Sequence, residues 1–257
     1  MCGAAYTMLP LKAPTERQMG KSLCPEHDGV VSCLTERSGL DVLLGTLAFP
    51  RGSEVLVSAV TIHDMVRIIE HHGLVAVPVD VDARDMSPRM ESIESAVTPQ
   101  TRAILAAHLF GGIFPMGPIT EWARERGILV FEDCAQAFDG SYTGHSETDV
   151  VMFSFGPIKT ATALGGGMLK IKDPDLYRKV RERHAIWPLQ SHGAFLKRVL
   201  MYSLLKVIAG RLPFKNVVSV CRLANRDHDS LLNDAVRNIP GDFLPDCASV
   251  LVHLSSV

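Results

Sequence analysis

From Val30 to about Lys172 the chain alternates two textures, and this alternation restricts the possible folds more than any other feature. Short, nearly continuous apolar runs such as AVPVDV (76–81), AILAAHL (103–109) and ILVFED (128–133) are separated by segments with a helical period. A strand that is apolar on both faces must be covered on both sides. Strands alternating with helices imply crossover connections and a mostly parallel sheet. The expected strands are Glu54–Ser58, Val75–Val81, Ala103–His108, Leu129–Asp133, Val150–Phe155 and Gly167–Ile171. The expected helices are Leu40–Ala48, Met65–His72, Pro88–Val97, Ile119–Arg126 and Pro174–Arg183. The fold class is therefore α/β.

The rest of the chain is organised differently. Residues 1–29 have no period and read as an irregular N-terminal arm; residues 30–183 form one large domain; residues 184–257 form a basic helical segment and a short remainder. From His184 to Arg226 there is no Asp or Glu, while Lys197, Arg198, Lys206, Arg211, Lys215, Arg222 and Arg226 give a local charge of +7. Phe195, Leu196, Val199, Leu200, Leu204, Val207 and Ile208 are spaced as an apolar helical stripe. Three readings suit it: a helix packed on the large domain, which is favoured; a dimer or substrate surface; or a helix lying on an anionic membrane.

Composition removes several function classes. With 26 Lys and Arg against 28 Asp and Glu, nothing calls for nucleic acid as a partner. The six cysteines form no CxxC pair, which argues against a structural zinc site and a disulfide framework, so no metal is expected. No stretch is long and apolar enough for a membrane span, and the N-terminus lacks a signal peptide's pattern. The expectation is a reduced, cytoplasmic setting.

In an open parallel sheet, ligands gather at the carboxyl ends of the strands, and three clusters fall there. In Phe131-Glu132-Asp133-Cys134-Ala135-Gln136 an apolar strand runs into adjacent carboxylates. Such an acid can hold a cation, bind a metal or pair with a protonated ring nitrogen; the bland reading is Asp133 as a helix N-cap. In the second cluster a strand ends at Ser154, and Lys159 follows a Gly-Pro turn. A lysine at a sheet end can lose its proton and attack a carbonyl, although a lone lysine is more often a surface residue. The Ser154 hydroxyl suits a phosphate. The third cluster, Gly165-Gly166-Gly167, allows close backbone approach and fits no phosphate-loop fingerprint.

Together these clusters resemble the fold-type-I pyridoxal-phosphate enzymes, and more narrowly the DegT/DnrJ/EryC1/StrS sugar aminotransferases. GSEVLVSAVT (52–61), HHGLVAVPVDVD (71–82), AILAAHLFG (103–111), ILVFEDCAQAF (128–138) and TDVVMFSFGPIKTATALGGGM (148–168) carry the resemblance in order and spacing. It implies a three-layer large domain around the mostly parallel sheet. It further implies pyridoxal 5'-phosphate as cofactor, an amino-acid donor, a keto-sugar acceptor and a homodimer. Lys159 matches the lysine that joins the cofactor, and Asp133 matches the carboxylate on the pyridine nitrogen. Gln136 matches the residue near the phenolic oxygen, and Ser154 a phosphate ligand. The family's Ser-Gly-Thr phosphate loop aligns with Thr35-Glu36-Arg37, which leaves Arg37 and the Ser38 amide for the phosphate. The aromatic residue stacked on the ring aligns with Ile62. Relatives with dehydratase activity resemble this family with His in place of the lysine, and Lys159 argues against that chemistry. The Gly-Tyr-Asn-Tyr-Arg segment that reaches a partner's cofactor has no counterpart after Arg183, so the small C-terminal domain is expected to be incomplete or absent. The competing expectation is a shortened, non-catalytic family member that binds cofactor or a partner without turnover.

Overall fold

The computed structural model describes residues 29–157, 159–187 and 192–208. The expected arm at 1–29, apart from its last residue, and the remainder from 209 onward lie outside the described residues. Seven strands form one sheet: β1 (Val30–Cys33), β2 (Glu54–Ser58), β3 (Val75–Val79), β4 (Thr101–Ala107), β5 (Leu129–Asp133), β6 (Val150–Ser154) and β7 (Gly167–Ile171). Their order is β1-β7-β6-β5-β4-β2-β3. Only β7 runs against its neighbours β1 and β6; the other pairs are parallel. Six strands therefore end at the same edge.

Side-chain alternation along the strands sorts residues between two apolar layers. On one face, Ala103, Leu105, Phe131, Val150 and Met152 pack with Leu40, Leu43 and Leu44 of α1 (Glu36–Leu47). Met65, Ile68 and Ile69 of α2 (His63–His71) and Val180 of α5 (Pro174–Ala185) complete this layer. On the other face, Leu56, Ile104, Ala106 and Val130 pack with Ile93 of α3 (Met90–Ala96). Ile119, Trp122 and Ala123 of α4 (Gly117–Glu125) join them. Burying one such aliphatic side chain contributes roughly 1.5–3 kcal/mol.

The expected strands and helices form, and β1 is added to them. The helix α6 (His192–Ile208) also forms, with one side half-buried and most of its apolar stripe exposed. Leu196, Leu200, Leu204 and Val207 are all more than half exposed, and Phe195 is 43% exposed. Arg198, Val199, Met201 and Tyr202 make up its half-buried side. Among the described residues, no helix is long and apolar enough to cross a membrane.

Candidate active site

The two carboxylates that end β5 point to opposite faces, because successive strand residues alternate. Asp133 faces the α1 layer and is 7% exposed. It caps a turn rather than a helix: the Ala135 amide donates to its Oδ1 at 2.8 Å, and residues 135–137 form a turn. That bond fixes the carboxylate's aim at the sheet edge.

Lys159 arrives from the neighbouring strand. After Ser154 the chain turns through Gly156 and Pro157, and the Lys159 amide donates to the Gly156 carbonyl at 3.1 Å. Ser154, half-buried at the end of β6, is in register with Gly167, which in turn opposes Cys33. A Cβ on Gly167 would overlap the backbone of Thr35 and Glu36. The glycine is what lets the first turn of α1 sit against these strand ends. Gly165, at a φ of 151°, lies beside the Arg198 guanidinium of α6.

The start of α1 is fixed by a capping box. The Ser38 amide donates to Thr35 Oγ1, and the Thr35 amide donates to Ser38 Oγ, both at 3.0 Å. The amide expected to meet a phosphate thus already has a partner. Arg37 pairs with Asp64 on α2 at 2.5 Å, which ties together two helix starts.

Between Arg37 and the strand ends stands a residue that sequence reasoning passed over. Glu36, first in α1, is 4% exposed. Burial pushes its carboxyl well above the usual 4.5, and the charge of Asp133 and a hydrogen bond with it push the same way; Lys159 and Arg37 oppose this weakly. One of its oxygens, Oε1, has no hydrogen-bond partner. The structure therefore brings Asp133, Lys159, Arg37 and Glu36 to one place, with Ser154 at the adjoining strand end. In the sequence, Glu36 looks like an ordinary first-turn acid that complements the helix dipole; no local pattern marks it as buried.

Two expected residues lie further out. Gln136 is exposed, and its Oε1 accepts from the Phe110 amide at 3.1 Å, linking the loops after β4 and β5. Ile62, at the N-cap position of α2, is 47% exposed and lies beyond β2, with β4 between it and β5.

Glu132 turns the other way and anchors the loop that follows. Its Oε1 accepts from His108 Nε2 at 2.9 Å and from the Tyr142 hydroxyl at 2.5 Å. Its Oε2 accepts from the His145 amide and from Thr148 Oγ1, both at 2.9 Å. Burial alone would raise this carboxyl, but the bonds from His108, Tyr142 and His145 outweigh it and hold it at about 2. The Phe114 amide donates to His108 Nδ1, which leaves the proton on Nε2, facing Glu132. His108 is thereby buried beside Glu132. Glu132, His108 and Cys134 are close enough to hold an ion, yet both carboxylate oxygens are already saturated with donors. The cluster is a hydrogen-bonded brace, and burial raises the Cys134 thiol far from its reactive form.

Residues 14–202 match the DegT/DnrJ/EryC1/StrS aminotransferase family. The chain belongs to that family. The family's enzymes are pyridoxal-phosphate-dependent aminotransferases. One family relative is a UDP-N-acetyl-3-dehydro-α-D-glucosamine 3-aminotransferase from Acidithiobacillus ferrooxidans, 36% identical over 63% of this chain and 46% of the relative. Another is a GDP-perosamine synthase from Caulobacter vibrioides, 34% identical over 59% of this chain and 42% of the relative. Among solved structures, DesV from S. venezuelae, in complex with a ketimine intermediate, matches with a TM-score of 0.57. It is 29% identical over 65% of this chain and 46% of that one. The chain thus spans less than half the length of the relatives it matches.

Proposed function

We propose that this chain is a pyridoxal-phosphate-dependent aminotransferase that moves an amino group from an amino acid to a keto group on a nucleotide-linked sugar. The observation that supports this reading best is the convergence of Asp133 and Lys159, from two adjacent strands, on one buried spot beside Glu36. A buried carboxylate, a lysine amine and a serine hydroxyl at one sheet edge are the groups that a protonated pyridine, an aldehyde and a phosphate require. They fit the cofactor; Glu36 is the departure.

Each residue has a defined task in this reading. Asp133 holds a proton on the ring nitrogen. When bound, the cofactor supplies an electron sink that makes the hydrogen on the amino-bearing carbon labile. Lys159 would hold the aldehyde carbon, yield it to the incoming amino donor, and with its amine so freed move that proton as the general base and acid. Ser154 donates its hydroxyl to the phosphate. Arg37 and the Ser38 amide add positive potential at the start of α1, alongside their bonds to Asp64 and Thr35. Gln136 serves the phenolic oxygen, and Ile62 covers the ring from the loop after β2. The nucleotide-sugar part of the reading rests on the relatives' names. A cytoplasmic homodimer completes it, consistent with the free thiol of Cys134.

The test is direct. Purified protein mixed with pyridoxal phosphate develops a visible absorbance band, and borohydride then leaves a phosphopyridoxyl group on the Lys159 peptide. A label on another lysine, or no label, overturns the reading.

A further inference from the structure

Glu36 has no task in the function above, yet it is more enclosed than the Asp133 it faces. It projects from the first turn of α1, and its backbone cannot retreat: the capping box fixes that turn on one side and Gly167 lies against it on the other. The first turn of α1 lies on Gly167 beside the end of β6, the neighbour of β5, so the Glu36 carboxyl faces the Asp133 side of that edge, where the charge of Asp133 raises it, and its Oε1 is buried with no hydrogen-bond partner. A buried polar atom left unpaired is costly, so the arrangement is one the chain gains from leaving. The charged groups facing Glu36 are Asp133 from β5, Lys159 from the loop after β6, and Arg37 from α1 itself. These are the groups that the proposed function gives to the cofactor.

We propose that, in the cofactor-free chain, the Glu36 side chain takes the place at Asp133 that the cofactor's ring nitrogen needs, so that cofactor binding is a displacement. This inference rests on the reading of Asp133 as the partner of the ring nitrogen. Asp133 can satisfy one hydrogen-bond donor at that position, either the Glu36 carboxyl or a protonated pyridine. Because the helix start is fixed, Glu36 leaves by rotating its side chain, not by moving α1. The measured affinity is then the intrinsic one reduced by the fraction of molecules in which Glu36 has swung away. The displaced carboxyl is free to form a new contact with Lys159 or Arg37.

Absorbance titrations with pyridoxal phosphate, and separately with pyridoxal, which lacks the phosphate, test this on the purified chain and on two variants. Glu36→Ala removes the competitor, and about ten- to hundredfold tighter binding of both probes is expected, the range of a hydrogen bond to a charged group. Glu36→Gln keeps the shape and a donor for Asp133, so its affinity stays near that of the parent chain. It also covers the case in which the alanine variant folds poorly, because an amide that bound both probes as tightly as expected for alanine would overturn the inference. A gain for pyridoxal phosphate alone also overturns it, since that pattern reflects charge near the phosphate and not a contest at Asp133. If Glu36→Ala binds no tighter while borohydride still labels Lys159, the displacement is wrong and the cofactor reading stands. If neither chain binds or labels, both fall.

Discussion

At the scale of single residues, β5 carries two adjacent acids with opposite burdens, and a third acid faces one of them. Glu132 is held at about 2, below the usual 4.5. A carboxyl lowered on folding contributes stability that is present above its unfolded value and is lost as the pH falls through the folded one. The contribution is about 3 kcal/mol, and it disappears between pH 4.5 and about 2. Glu132→Gln should remove it at neutral pH, because an NH2 in place of one oxygen faces donors, either His108 and Tyr142 or the His145 amide and Thr148. Urea unfolding of both proteins across acidic pH checks this; equal midpoints would show that the brace carries no load. Glu36 has the opposite sign. Its carboxyl is raised, so its share of stability is full below the usual value and is lost as the pH rises through the folded one. The cofactor-free protein should weaken as the pH rises above the usual 4.5, and Glu36→Gln should flatten that slope. Asp133→Asn should keep cofactor bound but slow transamination about a hundredfold or more, the scale of losing a positioned proton partner. A variant with near-parental rates would make Asp133 a turn cap and nothing else.

At the scale of elements, the central strands were legible because their apolar runs are continuous, and their helices because the period is clear. The misses have local causes. β1 is only four residues, VVSC, too short to show a period, and it is stabilised by antiparallel pairing with β7, as in Val30 opposite Lys170. That partner is remote in sequence, so the strand is a tertiary product. α1 starts at Glu36, four residues before the expected Leu40, because its first turn is polar and is set by the Thr35–Ser38 box rather than by apolar spacing. The site divides along the same line. Asp133, Lys159 and Ser154 sit at the ends of apolar strands, where sequence pattern and sheet topology agree. Glu36 depends on how α1 lies across three strand ends, which no local pattern encodes. In α6 the periodicity is legible and the burial is not: spacing of Leu196, Leu200, Leu204 and Val207 predicts a shared face, but cannot say what covers it. Since that face is exposed, Leu200→Ser with Leu204→Ser should change unfolding free energy by less than about 0.5 kcal/mol. A loss of several kcal/mol would mean that the stripe is buried in solution.

At the scale of the whole molecule, six strand ends at one edge place the proposed chemistry and an apolar surface side by side. Val60 and Ile62 follow β2, and Phe110 and Ile113 follow its neighbour β4, all between 42% and 74% exposed. Phe110 is the most exposed of them and has a φ of 55°. A bulky residue pays a conformational penalty in that region, and an exposed aromatic ring gives nothing back while it stays in water. The Phe110 amide is meanwhile held by Gln136, one of the proposed cofactor residues, so the loop's shape is tied to the site. A second copy that covers these loops would return the missing burial energy and close the mouth of the site, which is the homodimer of the proposed function. Light scattering over a range of concentrations should give twice the mass of one chain. Ile62→Ser combined with Phe110→Ser should shift the protein toward single chains with its circular dichroism unchanged, because neither side chain supports the core. A parent protein that stays single at every concentration, or a double variant that stays paired, would place the interface elsewhere or remove it.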